Sequence, residues 1–67
     1  MKSIYPNLEA ELKRKKITHS KLAAMLNIPD SAMSLRFAGK TKFKIDEIRI
    51  IINTLDLDFN YLFEEGK

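Results

Sequence analysis

The strongest constraint on the fold is a helical repeat of apolar residues in the second half of this 67-residue chain. The stripe consists of Ile45, Ile48, Ile51, Ile52 and Leu55. A spacing of three or four residues places these side chains on one face of a helix, whereas a half-buried strand alternates every second residue. No stretch of the chain alternates apolar and polar residues over more than a few positions. We therefore expect an amphipathic helix whose stripe belongs to the core, in an all-α fold.

The absence of cysteine leaves this core to carry the stability of the protein alone. No disulfide or thiolate metal site can form, and the one histidine, His19, offers no metal-ligand set. Sixty-seven residues are enough for a single domain, predicted over 1–67. The longest apolar run, 22–26, is too short for a bilayer span or a signal peptide. These features predict a cytoplasmic protein with neither cofactor nor metal.

Two helices are predicted in the first part of the chain. Pro6 suits the first turn of a helix, and we predict this helix over 7–15. Thr18 is a good N-cap for a second helix over 19–26. Asn27 follows at the position where a helix commonly ends in a left-handed residue, a conformation that asparagine tolerates.

Two further helices flank the isoleucine stripe. The first, predicted over 30–37, buries Met33 and Phe37 one turn apart, and Asp30 is a candidate for its N-cap. The second is short and follows Asp58, which can cap it. Together the patterns predict a compact, all-α domain of five helices.

Charge is divided unevenly along the chain. Residues 13–44 carry nine lysines and arginines and a single acid, Asp30, although the whole chain has a net charge of only +3. Such a distribution predicts one basic face that meets an anionic partner, for which nucleic acid is the usual candidate. A solvated lysine-rich surface is the alternative interpretation.

The segment 17–40 meets the physical requirements of a helix-turn-helix. Ala23 is small enough for two helices to approach closely, and Asn27 allows a short turn between them. The basic loop 40–44 follows the second of these helices and carries Phe43 as an apolar anchor. The outer face of that helix contains Asp30, Ser31, Ser34 and Leu35.

Four stretches carry a resemblance to a known family: NLEAELKRKKIT, KLAAML, GKTKF and LDLDFNYLF. They resemble the small phage-borne members of the Cro/C1-type (XRE-like) helix-turn-helix family. The resemblance implies a lambda-repressor-like DNA-binding domain, encoded by a prokaryote or phage and associated with the nucleoid. Its third helix would enter the major groove of an operator half-site. The base-facing positions would be Asp30, Ser31, Ser34 and Leu35; the backbone-contacting and supporting positions would be His19, Ser20, Lys40, Thr41 and Lys42.

The base-facing positions include no arginine, lysine, glutamine or asparagine, the residues that make bidentate base contacts. Serine can donate to or accept from any base, Leu35 can meet a thymine methyl, and Asp30 can accept from a cytosine amine. We therefore expect either modest sequence discrimination or a contribution of DNA shape to the choice of sequence.

The expected function is that of a sequence-specific transcriptional regulator of the Cro/repressor type, which occupies an operator in double-stranded DNA as a homodimer formed in solution or only on DNA. Ile50 lies off the stripe, and two interpretations stay open: an ordinary exposed apolar residue, which is the more common case, or a dimer contact shared with Phe59 or Tyr61. The chain shows no nucleophile–base pair or phosphate-binding loop, so we expect no enzymatic activity. The alternative function is a protein-interaction module that uses the same scaffold without DNA.

Overall fold

The computed structural model describes residues 3–66, which form five α-helices and no strand. The helices are α1 (Pro6–Arg14), α2 (His19–Leu26), α3 (Asp30–Phe37), α4 (Ile45–Leu55) and α5 (Phe59–Leu62). The all-α prediction is thus confirmed; its domain limits of 1–67 include Met1, Lys2 and Lys67, which lie outside the described residues. Within residues 3–66, no helix combines the length and the apolar composition needed to cross a bilayer.

Local sequence determines most helix ends. Thr18 Oγ1 accepts a hydrogen bond from the Lys21 N–H (3.0 Å), which confirms the predicted cap of α2. Asp58 caps α5 in the same way by accepting from the Tyr61 N–H (3.2 Å). The first helix begins at Pro6 and ends at Arg14, one residue earlier at each end than the predicted 7–15. Pro6 lacks the N–H that the first turn leaves unpaired, so the helix can include it.

Left-handed residues end four of the helices: Lys16, Asn27, Gly39 and Asp56. Asn27, with φ 59° and ψ 43°, confirms its predicted role between α2 and α3. The left-handed conformations of Lys16 and Asp56 were not predicted, because lysine and aspartate indicate this conformation much less strongly than glycine does.

The core lies where α2 packs on α3 and α4 and where α5 packs on α1 and α4. Its fully buried large side chains are Leu8, Leu12, Leu22, Met33, Ile51, Leu55 and Leu62. The predicted burial of Met33 and Phe37 is confirmed. The assignment of Ile45 to the core was wrong, because its side chain is 71% exposed. Ile45 is the first residue of α4 and lies beyond the core, whereas Phe43, two residues earlier, is buried.

Candidate nucleic-acid interface

The outer face of α3 is open to solvent. Asp30, Ser31, Ser34 and Leu35 are all exposed, Leu35 by 42%. Met33, Arg36 and Phe37 lie on the opposite side of the same helix and are buried. Because the inner side is fixed in the core, the four base-facing candidates share one exposed helical surface.

An ion pair that sequence reasoning missed joins α3 to α4. Arg36 Nε donates to Glu47 Oε1 (2.8 Å) and Arg36 Nη2 donates to Glu47 Oε2 (3.1 Å). Both residues are buried, and the Lys44 N–H also donates to Glu47 Oε1 (3.0 Å) at the start of α4. A third guanidinium nitrogen of Arg36 donates to the Ala32 carbonyl (3.3 Å). The guanidinium of Arg36 therefore has a structural role and does not contact a phosphate or a base.

The spacing of apolar residues in α3 could have indicated that Arg36 is buried and needs a partner. Arg36 is three residues after Met33 and next to Phe37, so it shares their inward face. A charge on an inward face requires a partner. The sequence does not identify that partner, because Glu47 lies in another helix beyond a seven-residue connection.

The basic loop between α3 and α4 is anchored at both ends. Gly39 adopts φ +81°, a conformation that is strained for other residues, and a Cβ at this position would also displace the Ile4 Cδ1 methyl group, which would lie 2.9 Å away. The Lys40 N–H then donates to the Leu35 carbonyl (3.0 Å), which closes the end of α3. Phe43 is buried, with its ring centroid 5.8 Å from that of Phe37.

Anchoring leaves the charged part of the loop free. Lys40, Thr41, Lys42 and Lys44 are all exposed. They follow α3 directly, so three cations and a hydroxyl lie in the chain segment next to the exposed helix face. A loop with this composition and a fixed backbone is suited to contact a row of phosphates.

Asp30 does not have the role of a helix cap. Its predicted N-cap role was wrong: the cap of α3 is Pro29, without a side-chain hydrogen bond, and Asp30 is the first residue of the helix. The Asp30 carboxylate instead accepts a hydrogen bond from Ser20 Oγ (2.8 Å). Since both side chains are exposed, this bond links the starts of α2 and α3 at the surface.

His19 has more contacts than a polar residue at a helix start usually makes. Its Nε2–H donates to Glu9 Oε1 (2.6 Å), and its ring stacks on Phe37 with centroids 4.2 Å apart and planes 6° apart. The side chain thus connects α2 with both α1 and α3. It remains 45% exposed, so part of the imidazole is accessible to solvent at the start of α2.

Two further lysines lie near the start of α2. Lys13 and Lys16 line an open groove of about 820 Å³ that also reaches Ile17 and His19. The groove brings cations from the end of α1 to the same edge of the molecule as the start of α2. Lys13 and Lys16 therefore lie beside the start of α2, in a groove that Glu9 also lines.

Glu11, by contrast, is withdrawn from the surface. It is buried, and its Oε2 accepts from Tyr61 Oη (3.0 Å) and from Arg14 Nη1 (3.1 Å). The hydrogen bond to Glu11, followed by burial, raises the pKa of Tyr61 above its ordinary value of 10.0. This contact joins α1 to α5 on another side of α1 and takes no part in the candidate interface.

Among residues 3–66, no three histidine, aspartate or glutamate side chains lie close enough together to hold a metal ion. No family model, curated protein or solved structure matches this chain.

Proposed function

We propose that this protein is a DNA-binding transcriptional regulator of the Cro/C1-type (XRE-like) helix-turn-helix class, with α2 and α3 as the helix-turn-helix. The observation that carries the proposal is the exposed face of α3 directly followed by an anchored, basic loop. The left-handed Asn27 between two packed helices supports it. In this account α3 enters the major groove and the loop contacts the flanking phosphates.

Each part of the surface has a distinct task in this proposal. Ser31 and Ser34 contact base edges, and Leu35 contacts a thymine methyl group. Asp30 accepts from a cytosine amine through the carboxylate oxygen that Ser20 does not occupy. The loop side chains Lys40, Thr41 and Lys42 contact phosphates, which fixes the position of α3 but supplies no sequence information.

The network of contacts behind α3 supports a rigid reading surface. The Arg36–Glu47 ion pair fixes the inner side of α3 against α4, and the Ser20–Asp30 bond fixes its start against α2. Side chains that are ordered before binding cost less conformational entropy on binding. A rigid surface therefore compensates in part for the weak contacts that the short serine side chains make with bases.

A homodimer completes the proposal. Ile50 is exposed as expected, and so are Phe59 and Tyr61. We propose that Ile50, with Phe59 or Tyr61, forms the contact between two copies on an operator, in free solution or only on DNA. The bound dimer would act by steric block, without chemistry on the DNA.

A pair of matched variants tests the DNA-binding surface. Ser34→Glu places a negative charge on the α3 face, whereas Asn60→Glu adds the same charge at an exposed position of α5. We expect Ser34→Glu to abolish binding to a random duplex at low salt and Asn60→Glu to leave it nearly unchanged. Circular dichroism of both variants controls for folding.

A salt titration of duplex binding by the wild-type protein separates DNA binding from the protein-interaction alternative. Phosphate contacts release counterions, so the logarithm of the binding constant falls steeply with the logarithm of salt concentration. A wild-type protein that binds no duplex at low salt, or a Ser34→Glu variant that binds like wild type, contradicts the proposal.

A further inference from the structure

A pocket distinct from the α3 face lies between the N-terminal segment, the basic loop and α5. It is an open pocket of about 240 Å³ whose lining includes four aromatic side chains: Tyr5, Phe43, Phe59 and Phe63. This volume lies between the roughly 150 Å³ of a cavity that takes benzene and the roughly 300 Å³ where sites for drug-sized ligands begin. The pocket therefore suits a ligand with one aromatic ring.

The aromatic wall is ordered by ring packing, which is edge-to-face for Phe43–Phe63 and Tyr5–Phe63 and tilted for Tyr5–Phe43. The centroid of Phe43 lies 5.4 Å from that of Phe63 and 5.7 Å from that of Tyr5, and Tyr5 and Phe63 are 5.5 Å apart. Rings packed at these distances present both faces and edges, and a further ring can join in the same geometry.

Two opposite charges line the same pocket: the Lys42 ammonium and the Glu65 carboxylate. Glu65 belongs to the C-terminal segment, which is held by a hydrogen bond from the Gly66 N–H to the Ile4 carbonyl (2.9 Å). Burial, and secondarily the charge of Glu65, raise the pKa of Tyr5, in keeping with a carboxylate close to the aromatic wall. The pocket thus offers a cation and an anion to one small ligand.

We propose that this pocket binds a small zwitterion with one aromatic ring, the chemistry of a free aromatic amino acid. The ring packs against Phe43 and Phe63, the ligand carboxylate pairs with Lys42, and the ligand ammonium pairs with Glu65. Because Lys42 belongs to the proposed phosphate-contacting loop, the bound ligand weakens DNA binding by occupying that cation. This regulatory consequence rests on the proposed function; the binding itself does not.

Binding is tested first without DNA, by nuclear magnetic resonance and calorimetry. The probes are L-phenylalanine, phenethylamine, which lacks the carboxylate, and hydrocinnamate, which lacks the ammonium group. We expect saturable 1:1 binding of L-phenylalanine, with chemical-shift changes confined to the residues that line the pocket, and weaker binding of the other two probes. Lys42→Ala should weaken L-phenylalanine and hydrocinnamate by about two- to fivefold but spare phenethylamine, since partly exposed ion pairs contribute modestly.

Glu65→Gln provides the complementary test. It should weaken L-phenylalanine and phenethylamine but spare hydrocinnamate. Both positions are exposed, so neither change threatens folding. The absence of saturable binding, or affinities for the three probes that do not depend on these two side chains, overturns the pocket proposal.

The regulatory consequence is tested on duplex DNA at saturating L-phenylalanine. We expect weaker binding and a salt dependence lower by about one unit of slope, as for the loss of one phosphate contact. An unchanged DNA affinity at saturation overturns the regulatory role. A protein that binds the amino acid but no DNA at all contradicts the proposed function and leaves the pocket intact.

Discussion

The guanidinium of Arg36 forms a two-point ion pair with the carboxylate of Glu47, at 2.8 and 3.1 Å. The two side chains are only 10% and 8% exposed, so most of their hydration is lost on folding. Bidentate geometry and the extra bonds to the Ala32 carbonyl and the Lys44 N–H offset this cost. The pair therefore connects the proposed reading helix to α4.

Removing one partner of this pair should be costly. We predict that Glu47→Ala lowers the free energy of unfolding by about 3–5 kcal/mol, because Arg36 is left as an unpaired buried charge. The double variant Arg36→Met with Glu47→Leu should recover most of that loss. Urea unfolding of the two variants and the wild type measures both effects; a loss below about 1 kcal/mol in Glu47→Ala would show that the pair is not buried as described.

The fold was largely predictable from local sequence, whereas the polar network was not. Caps and turns depend on residues near one another in the chain, and Thr18, Asn27 and Asp58 take the predicted roles. The Arg36–Glu47 pair and the Glu9–His19 bond join different helices, so no local pattern specifies them. The helical spacing of apolar residues also gave a wrong prediction at the start of α4, where it assigned Ile45 to the core.

Two buried residues and one exposed residue allow a matched test of stability. We predict that Met33→Ala and Ile51→Ala each cost about 2–5 kcal/mol, because both side chains are fully buried. Ile45→Ala should change stability by no more than about 0.5 kcal/mol, because Ile45 is on the surface. Thermal or urea unfolding compares the three; equal losses at all three positions would mean that the register of α4 is wrong.

Alkaline pH should weaken the contact between α1 and α5. The pKa of Tyr61 is raised in the folded protein, chiefly by its hydrogen bond to Glu11, so folding favours the neutral phenol. The resulting stability is complete below the unfolded value of about 10 and is lost as pH rises through the higher folded value.

Tyr61→Phe isolates this effect, since the lysines titrate in both proteins alike. Above about pH 10, urea midpoints should fall more steeply for the wild type than for Tyr61→Phe, whereas at lower pH the two curves should run parallel. Curves that run parallel over the whole range would show that the Tyr61 hydroxyl does not favour the folded state.

The basic loop should contribute to all DNA binding equally. We predict that Lys40→Ala with Lys42→Ala weakens binding to every sequence and reduces the salt slope by about one unit per lost contact. Arg49→Ala, an exposed charge on α4, serves as the control and should change the slope little. Fluorescence anisotropy over a salt series provides the measurement, and an unchanged slope in the double variant would exclude the loop from the interface.

Asp30 should affect specificity and general affinity in opposite directions. Asp30→Asn removes a charge that repels phosphates but keeps an oxygen that can accept from Ser20. We predict tighter binding to random DNA and a preference at one base pair per half-site that is weaker by about 1–3 kcal/mol. Affinities for operator and random duplexes at matched salt test this, and two unchanged affinities would show that the start of α3 does not meet DNA.

Ser20→Ala provides the companion test at the other end of the bond. It keeps the charge of Asp30 but frees the carboxylate from Ser20 Oγ. We predict a lower specificity ratio with little change in binding to random DNA, because orientation and not charge is lost. A specificity ratio equal to that of the wild type would show that Ser20 does not orient the carboxylate.

Selection of bound sequences from a random duplex library by the purified protein tests whether α3 reads DNA. We predict an enriched palindrome whose half-sites lie about one helical turn, or about 10 base pairs, apart. We also predict that Asp30→Asn relaxes the selected base at one position in each half. A library that shows no enriched sequence after selection, together with no binding at low salt, would contradict the assignment of α3 as a DNA-reading helix.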